Sequence, residues 1–144
     1  CNNGSAAGQE VEHLHQDNII EKIHTLTKTD LFRTIGTMDL SFLARGAERI
    51  QYNPGEKIFD RNQPSEHLYI IKNGEVRLIN GSTQKRYDND TFGDEILFGN
   101  HYHHQEAIAD TPACLYRISK NYLIQCARIK PRVAIAFLEK GIKV

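Results

Sequence analysis

Two Asn-Gly pairs, Asn73-Gly74 and Asn80-Gly81, constrain the fold of this chain more than any other feature of its sequence. An Asn-Gly pair between alternating apolar residues is the strongest short-range signal for a β-hairpin, because both residues tolerate positive φ. Short β-prone segments recur on both sides of these turns: Arg49–Tyr52, Lys57–Phe59, His67–Ile71, Glu75–Ile79, Thr83–Tyr87, Gln105–Ala109 and Ala113–Ile118. Many short strands separated by turns predict a mainly β jelly roll.

Helical patterns flank this β-rich middle. The predicted helices are Val11–Thr25, Met38–Arg45, Lys120–Arg128 and a last helix from Pro131 to about Gly141, with a short helical insert within Phe92–Asn100. Apolar residues at helical spacing support the first of these. Ser119 is the predicted N-cap of the third, since a serine hydroxyl can accept a hydrogen bond from a free N–H of the first turn. Proline suits the first turn of the last helix because it lacks an N–H.

The charges balance overall but are distributed unevenly. The 144 residues contain 18 Lys and Arg and 18 Asp and Glu, so the formal net charge is zero, which argues against a general nucleic-acid binder. Residues 87–110 contain six carboxylates and no Lys or Arg, whereas the C-terminal 30 residues are basic, which is typical of a solvated helix face. The longest apolar run, Val133–Leu138, is far shorter than the roughly 20 residues of a membrane span.

The three cysteines, Cys1, Cys114 and Cys126, form no metal-binding or disulfide pattern. Their count is odd and their spacing is wide, and the last two stand among apolar residues. We therefore expect Cys114 and Cys126 to be buried thiols in a reducing, cytoplasmic protein. Because the chain begins with Cys1 rather than Met, we expect it to be a piece of a longer protein, such as the part of a membrane protein that lies outside the bilayer.

Several motifs occur in an order that resembles the cyclic-nucleotide-binding domain family. They are Tyr52-Asn-Pro-Gly-Glu-Lys-Ile-Phe, His67-Leu-Tyr-Ile-Ile-Lys-Asn-Gly-Glu-Val-Arg-Leu, Phe92-Gly-Asp and Ala113-Cys-Leu-Tyr-Arg-Ile-Ser. The resemblance extends over about residues 26–140. It implies a double-stranded β-helix, or β-roll, with helices at both ends and a phosphate-binding cassette that begins at Phe92.

The resemblance also implies a division of the chain into segments. We expect a flexible tail at residues 1–9, N-terminal helices at 10–45, the β-roll at 46–118 with its cassette at 92–104, and hinge helices at 119–144. Residues 10–144 would form one functional domain.

Within the cassette, the family pattern assigns a role to each matching residue. The residues that would contact a ligand are Phe92, Gly93, Asp94, Glu95, Ile96, Leu97, His103, His104 and Gln105. The backbone at Gly93, Ile96 and Leu97 would cradle the phosphate. Asp94 would accept a hydrogen bond from the ribose, or Glu95 if the register shifts by one. The arginine that pairs with the phosphate in the family falls on His103, so the resemblance implies that cyclic AMP or cyclic GMP binds only weakly.

Three interpretations of the histidines at the end of the cassette are open. They could lie on a partly exposed loop without a ligand. His103 and His104 could instead bind an anion in a pH-dependent manner, because imidazole gains its charge between pH 5 and 8. As a third alternative, His101 and His103 could share a strand face and hold a metal ion together with Glu106.

The functional prediction is a regulatory module rather than an enzyme. The sequence contains no nucleophile elbow, HExxH motif or P-loop, and we predict no catalytic residue and no metal site. The first hypothesis is a sensor that couples the binding of a nucleotide or another small anion to movement of the C-terminal helices and an attached effector domain. The alternative is a degenerate domain of the same fold that binds no nucleotide and serves as an interaction module. Neither hypothesis involves nucleic acid or insertion into a membrane.

Overall fold

The computed structural model describes residues 19–142, which form two four-stranded antiparallel sheets with helices on one side. The first sheet has the order β1-β8-β3-β6 and consists of Ala47–Tyr52, Ala113–Ser119, His67–Asn73 and Thr91–Phe92. The second has the order β2-β7-β4-β5 and consists of Lys57–Phe59, Glu106–Ala109, Val76–Asn80 and Ser82–Arg86. The helices are α1 (residues 19–28), α2 (Thr37–Arg45), α3 (Lys120–Ile129), α4 (Pro131–Glu139) and a 3-10 helix, Asp94–Phe98. The predicted β-roll with flanking helices is confirmed.

The two Asn-Gly pairs play different roles. Asn80-Gly81 closes a true hairpin, because β4 and β5 pair antiparallel up to Asn80 and Ser82. Asn73-Gly74 does not: it carries the chain from the first sheet to the second, so the hairpin prediction is wrong there. A Cβ on Gly74 would lie 2.7 Å from Cα of Ala113, so the close approach of β8 requires glycine at this crossover.

The strands β3 and β8 are buried on both faces and separate two apolar cores. Leu68 and Ile70 of β3 face the helices, whereas Tyr69 and Ile71 face the second sheet. Successive side chains of a β-strand point to opposite faces, so a central strand such as β3 contributes side chains to both cores. One core therefore lies between the sheets, and the other lies between the first sheet and the helices.

The C-terminal helices begin as the sequence predicts. The Ser119 hydroxyl accepts a hydrogen bond from the Tyr122 N–H at 3.1 Å, and Pro131 occupies the first turn of α4. The two-residue strand β6 was not predicted, because so short a pairing has no periodicity of its own. The predicted tail at residues 1–9 and the first part of the predicted helix Val11–Thr25 lie outside the described residues.

The cysteine prediction is half correct. Cys126 is a buried free thiol, as expected. Cys114 is fully buried but disulfide-bonded, so the expectation of a thiol there is wrong. In the part of the chain that the structure describes, no helix has the length and apolarity needed to cross a membrane.

Candidate ligand-binding cassette

The cassette begins with a turn that only glycine can make. Gly93 lies between β6 and the 3-10 helix with φ of +70°, in the left-handed region. A Cβ at this position would lie 3.0 Å from Cδ2 of Tyr69 and 3.3 Å from the carbonyl oxygen of His67. The conformation and the close approach of β3 both require glycine here. The 3-10 helix ends at Gly99, which also has positive φ.

The centre of the cassette is a contact between Glu95 and His103. Nδ1 of His103 lies 3.2 Å from Oε1 of Glu95, and the backbone N–H of His104 donates to the same oxygen at 3.2 Å. Burial by itself raises the pKa of Glu95, but these hydrogen bonds outweigh it and hold the pKa below its ordinary value. Glu95 therefore connects the 3-10 helix to His103 and His104 at the other end of the cassette. We refer to this arrangement as the closed cassette.

His103 is an interior residue. Only 3% of its surface is exposed, and its ring stacks on Phe59 with 3.5 Å between the ring centroids and 5° between the planes. Its backbone is fixed on both sides, because it donates to Gln63 and accepts from Asn62, both at 2.9 Å. The expectation of a partly exposed loop is therefore wrong for His103.

Phe92 and His103 belong to one aromatic cluster, which lies against Gly93. Phe59 and Tyr69 complete it; Tyr69 stacks on Phe92 at 5.1 Å, and Phe59 lies 5.6 Å from Tyr69. Sequence reasoning missed Phe59 and Tyr69 as parts of this site, although both stand in motifs on which the family resemblance rests. The available signal was their aromatic character on the strands that border the cassette.

Asp94 and Glu95 are neighbours in different environments. The Asp94 side chain is exposed to solvent. Protein atoms around its carboxyl group nevertheless desolvate it in part, and this desolvation, together with the charge of Glu95, raises the pKa of Asp94. Glu95 is half-buried and hydrogen-bonded. Among the described residues, no Lys or Arg forms an ion pair with either carboxylate. Asp94 is thus the carboxylate that remains open to a ligand.

Ile96 and Leu97 point away from solvent into the core between the first sheet and the helices. They are 2% and 4% exposed and share that core with Leu123 of α3 and Phe137 of α4. The short helix and the C-terminal helices therefore contribute side chains to one core.

The remaining candidates do not join the buried pair. His101 and His104 are exposed, and Gln105 is half-buried. The expected shared face of His101 and His103 is absent, because no regular strand forms there and only His103 turns inward. Glu106, the third residue of the metal hypothesis, pairs with Lys57 at 3.0 Å. Within residues 19–142, no group of three His, Cys, Asp or Glu side chains could hold a metal ion.

Several solved structures share this architecture. A putative cyclic nucleotide binding protein from Ruegeria pomeroyi has a TM-score of 0.72 at 20% identity, over 83% of this chain and 56% of that one. The sensor domain of the transcriptional regulator DNR from Pseudomonas aeruginosa gives 0.69 at 20% identity, over 82% and 88%. The regulatory domain of Toxoplasma gondii PKA, solved with cAMP, gives 0.69 at 16% identity, over 76% and 44%. These likenesses define the class by fold: a β-roll with flanking helices.

The family follows from the sequence. Residues 49–129, more than half of the chain, match the family model of the cyclic nucleotide-binding domain. The chain belongs to this family, and the resemblance of its motifs is confirmed.

Proposed function

We propose that this chain is a regulatory sensor module that couples the binding of a small anionic ligand at the cassette to movement of the C-terminal helices. The observation that carries the proposal is the shared core: Ile96 and Leu97 of the cassette belong to the same apolar core as Leu123 of α3 and Phe137 of α4. Close-packed side chains transmit a displacement because the interior has few voids. A ligand that shifts the 3-10 helix would therefore change the packing of both helices.

The movement would also reach α2. The Tyr122 hydroxyl of α3 donates to the carbonyl oxygen of Phe42 at 2.5 Å. A Cβ on Gly46, at the end of α2, would lie 2.2 Å from the Tyr122 ring. The two helices are thus in direct contact, so a displacement of α3 would disturb this contact with α2. A ligand would act by binding one arrangement of these helices more tightly than another.

Cyclic AMP and cyclic GMP are the first ligands to test, because the Gly93 turn matches the family pattern and Asp94 stands where the family has a glutamate, which is one methylene longer. We expect their affinity to be low near neutral pH. The arginine position holds His103, whose Nδ1 already contacts Glu95. Losing one charge-assisted hydrogen bond to a phosphate costs about 10- to 100-fold in affinity.

The second candidate is an interaction module that binds no nucleotide. The specific observation in its favour is the buried contact between His103 and Glu95, which closes the cassette without a ligand.

Calorimetric titration with cyclic AMP and cyclic GMP at about pH 6 and about pH 7.5 separates the two candidates. Saturable binding in the micromolar range, with ligand-dependent hydrogen exchange in α3 and α4, supports the sensor. The absence of binding at millimolar ligand supports the interaction module.

The variant His103→Arg introduces a fixed cation and is expected to tighten binding and to flatten the pH dependence of the affinity. The variant His104→Arg, which changes an exposed neighbour, is the matched control. Equal affinities of wild type and His103→Arg would remove His103 from the phosphate site.

A further inference from the structure

A basic cavity lies at one end of the first sheet, where the helices meet it. Its volume is about 350 Å³, at the lower end of the range for small-ligand pockets. Its walls come from α1, the end of α2 and three strands of the first sheet: Lys22, Arg45, Gly46, Ala47, Glu48, His67, Arg117 and Ser119. Three of these side chains are basic, namely Lys22, Arg45 and Arg117, and one is a carboxylate.

The carboxylate is already neutralised. Nε of Arg117 donates to Oε1 of Glu48 at 2.5 Å, and this cross-strand pair also lowers the pKa of Glu48. The two residues lie directly opposite each other in the register of β1 and β8. The charges of Lys22 and Arg45 are therefore left in excess in the cavity.

Lys22 is an unusual residue in this position. It is only 6% exposed, and among residues 19–142 no carboxylate forms an ion pair with it. Burial lowers the pKa of Lys22, the charge of Arg49 lowers it further, and the charge of Glu48 offsets these effects only in part. A buried ammonium is costly unless an anion accompanies it. Arg45, which lies over the ring of Phe42 at 5.6 Å, is exposed and free to turn towards a ligand.

We propose that this cavity binds a phosphate group, either as inorganic phosphate or as part of a small phosphomonoester. The phosphate oxygens would accept hydrogen bonds from the ammonium group of Lys22, the guanidinium group of Arg45 and the outer nitrogens of Arg117. Guanidinium groups can donate two parallel hydrogen bonds to a phosphate, and the ammonium group adds a compact charge. This site is distinct from the cassette and does not depend on the function proposed for it. The two sites are close in the first sheet, because Arg117, which lines the cavity, lies opposite Tyr69 in the register of β3 and β8, and Tyr69 lies against Gly93.

Titration with inorganic phosphate, followed by NMR chemical shifts at ionic strength matched with sodium chloride, tests the proposal. We expect saturable binding that Lys22→Gln and Arg45→Gln each weaken by about 10-fold or more. Lys28→Gln, an exposed change on the same helix, is the control and should leave affinity unchanged. If Lys22→Gln fails to fold, the affinity of Arg45→Gln still tests the proposal, because Arg45 is exposed and its replacement should leave the fold intact.

A second arm uses glycerol phosphate. Equal affinity would mean that the phosphate group alone is bound, and tighter binding would mean that the cavity also accommodates the rest of the ester. Shifts that follow ionic strength without saturation, or an equal loss in all three variants, would overturn the proposal. His103→Ala should leave phosphate affinity unchanged, so failure of the cassette hypothesis and failure of this one are distinguishable.

Discussion

The cassette and the basic cavity contain opposite charges. The cassette contains two adjacent carboxylates; Glu95 contacts the imidazole of His103 and accepts from the N–H of His104, and among the described residues no Lys or Arg forms an ion pair with either carboxylate. The cavity contains an excess of cations around one neutralised carboxylate. The comparison teaches that basic side chains line the cavity, whereas the cassette, the segment where the family resemblance predicts anion binding, has carboxylates without a Lys or Arg partner among the described residues. Four substitutions in the cassette test its side of this comparison.

The largest effect is expected for Leu97→Ala. Leu97 is 4% exposed in the core that joins the cassette to the C-terminal helices, and truncating a buried leucine costs about 2–5 kcal/mol. Chemical denaturation measures the change in the free energy of unfolding. Phe98→Ala is the control, because Phe98 is 45% exposed and should cost much less. Equal losses would mean that the cassette is not anchored through Leu97.

A smaller loss, about 1.5–3 kcal/mol, is expected for His103→Ala, because a half-buried carboxylate loses its hydrogen-bond partner. The neighbouring His104→Ala changes an exposed side chain, and its effect should stay within about 0.5 kcal/mol. Denaturation curves of the two variants at neutral pH give both values. If His104→Ala proves as costly as His103→Ala, the buried contact does not hold the cassette closed.

The smallest effects, under about 1 kcal/mol, concern the two adjacent carboxylates and differ in sign. The pKa of Glu95 is lowered in the fold, so its charge stabilises the protein above its ordinary pKa of 4.5, and this is lost as pH falls through the lowered value. Glu95→Gln should therefore destabilise at neutral pH. The pKa of Asp94 is raised above 3.8, so its charge destabilises the fold at neutral pH, and the penalty disappears as pH falls through the raised value.

Asp94→Asn should accordingly stabilise the protein at neutral pH and lose that advantage in acid. Thermal unfolding of both variants across the acid range measures the two trends. Parallel trends for Asp94→Asn and Glu95→Gln would show that the carboxylates share one environment, contrary to the geometry described above.

Much of the cassette could be predicted because its signals are local. The turn at Gly93 and the short helix after it follow from a few consecutive residues, and so do the cap at Ser119 and the proline start of α4. The position of His103 could not be predicted, because its burial depends on Phe59, which lies on a different strand. The crossover at Asn73-Gly74 was mistaken for a hairpin for a similar reason: the local sequence specifies a turn but not the sheet that the next strand joins.

The sequence by itself determined the strands and helices, the family, and an acidic segment without Lys or Arg. Only the tertiary structure decided that one histidine turns inward against Glu95 and that Lys22, Arg45 and Arg117 line one cavity. The physical reason is that local conformation depends on neighbouring residues, whereas these groupings depend on which distant strands and helices pack together. Packing brings residues from the two ends of the chain within reach of one ligand.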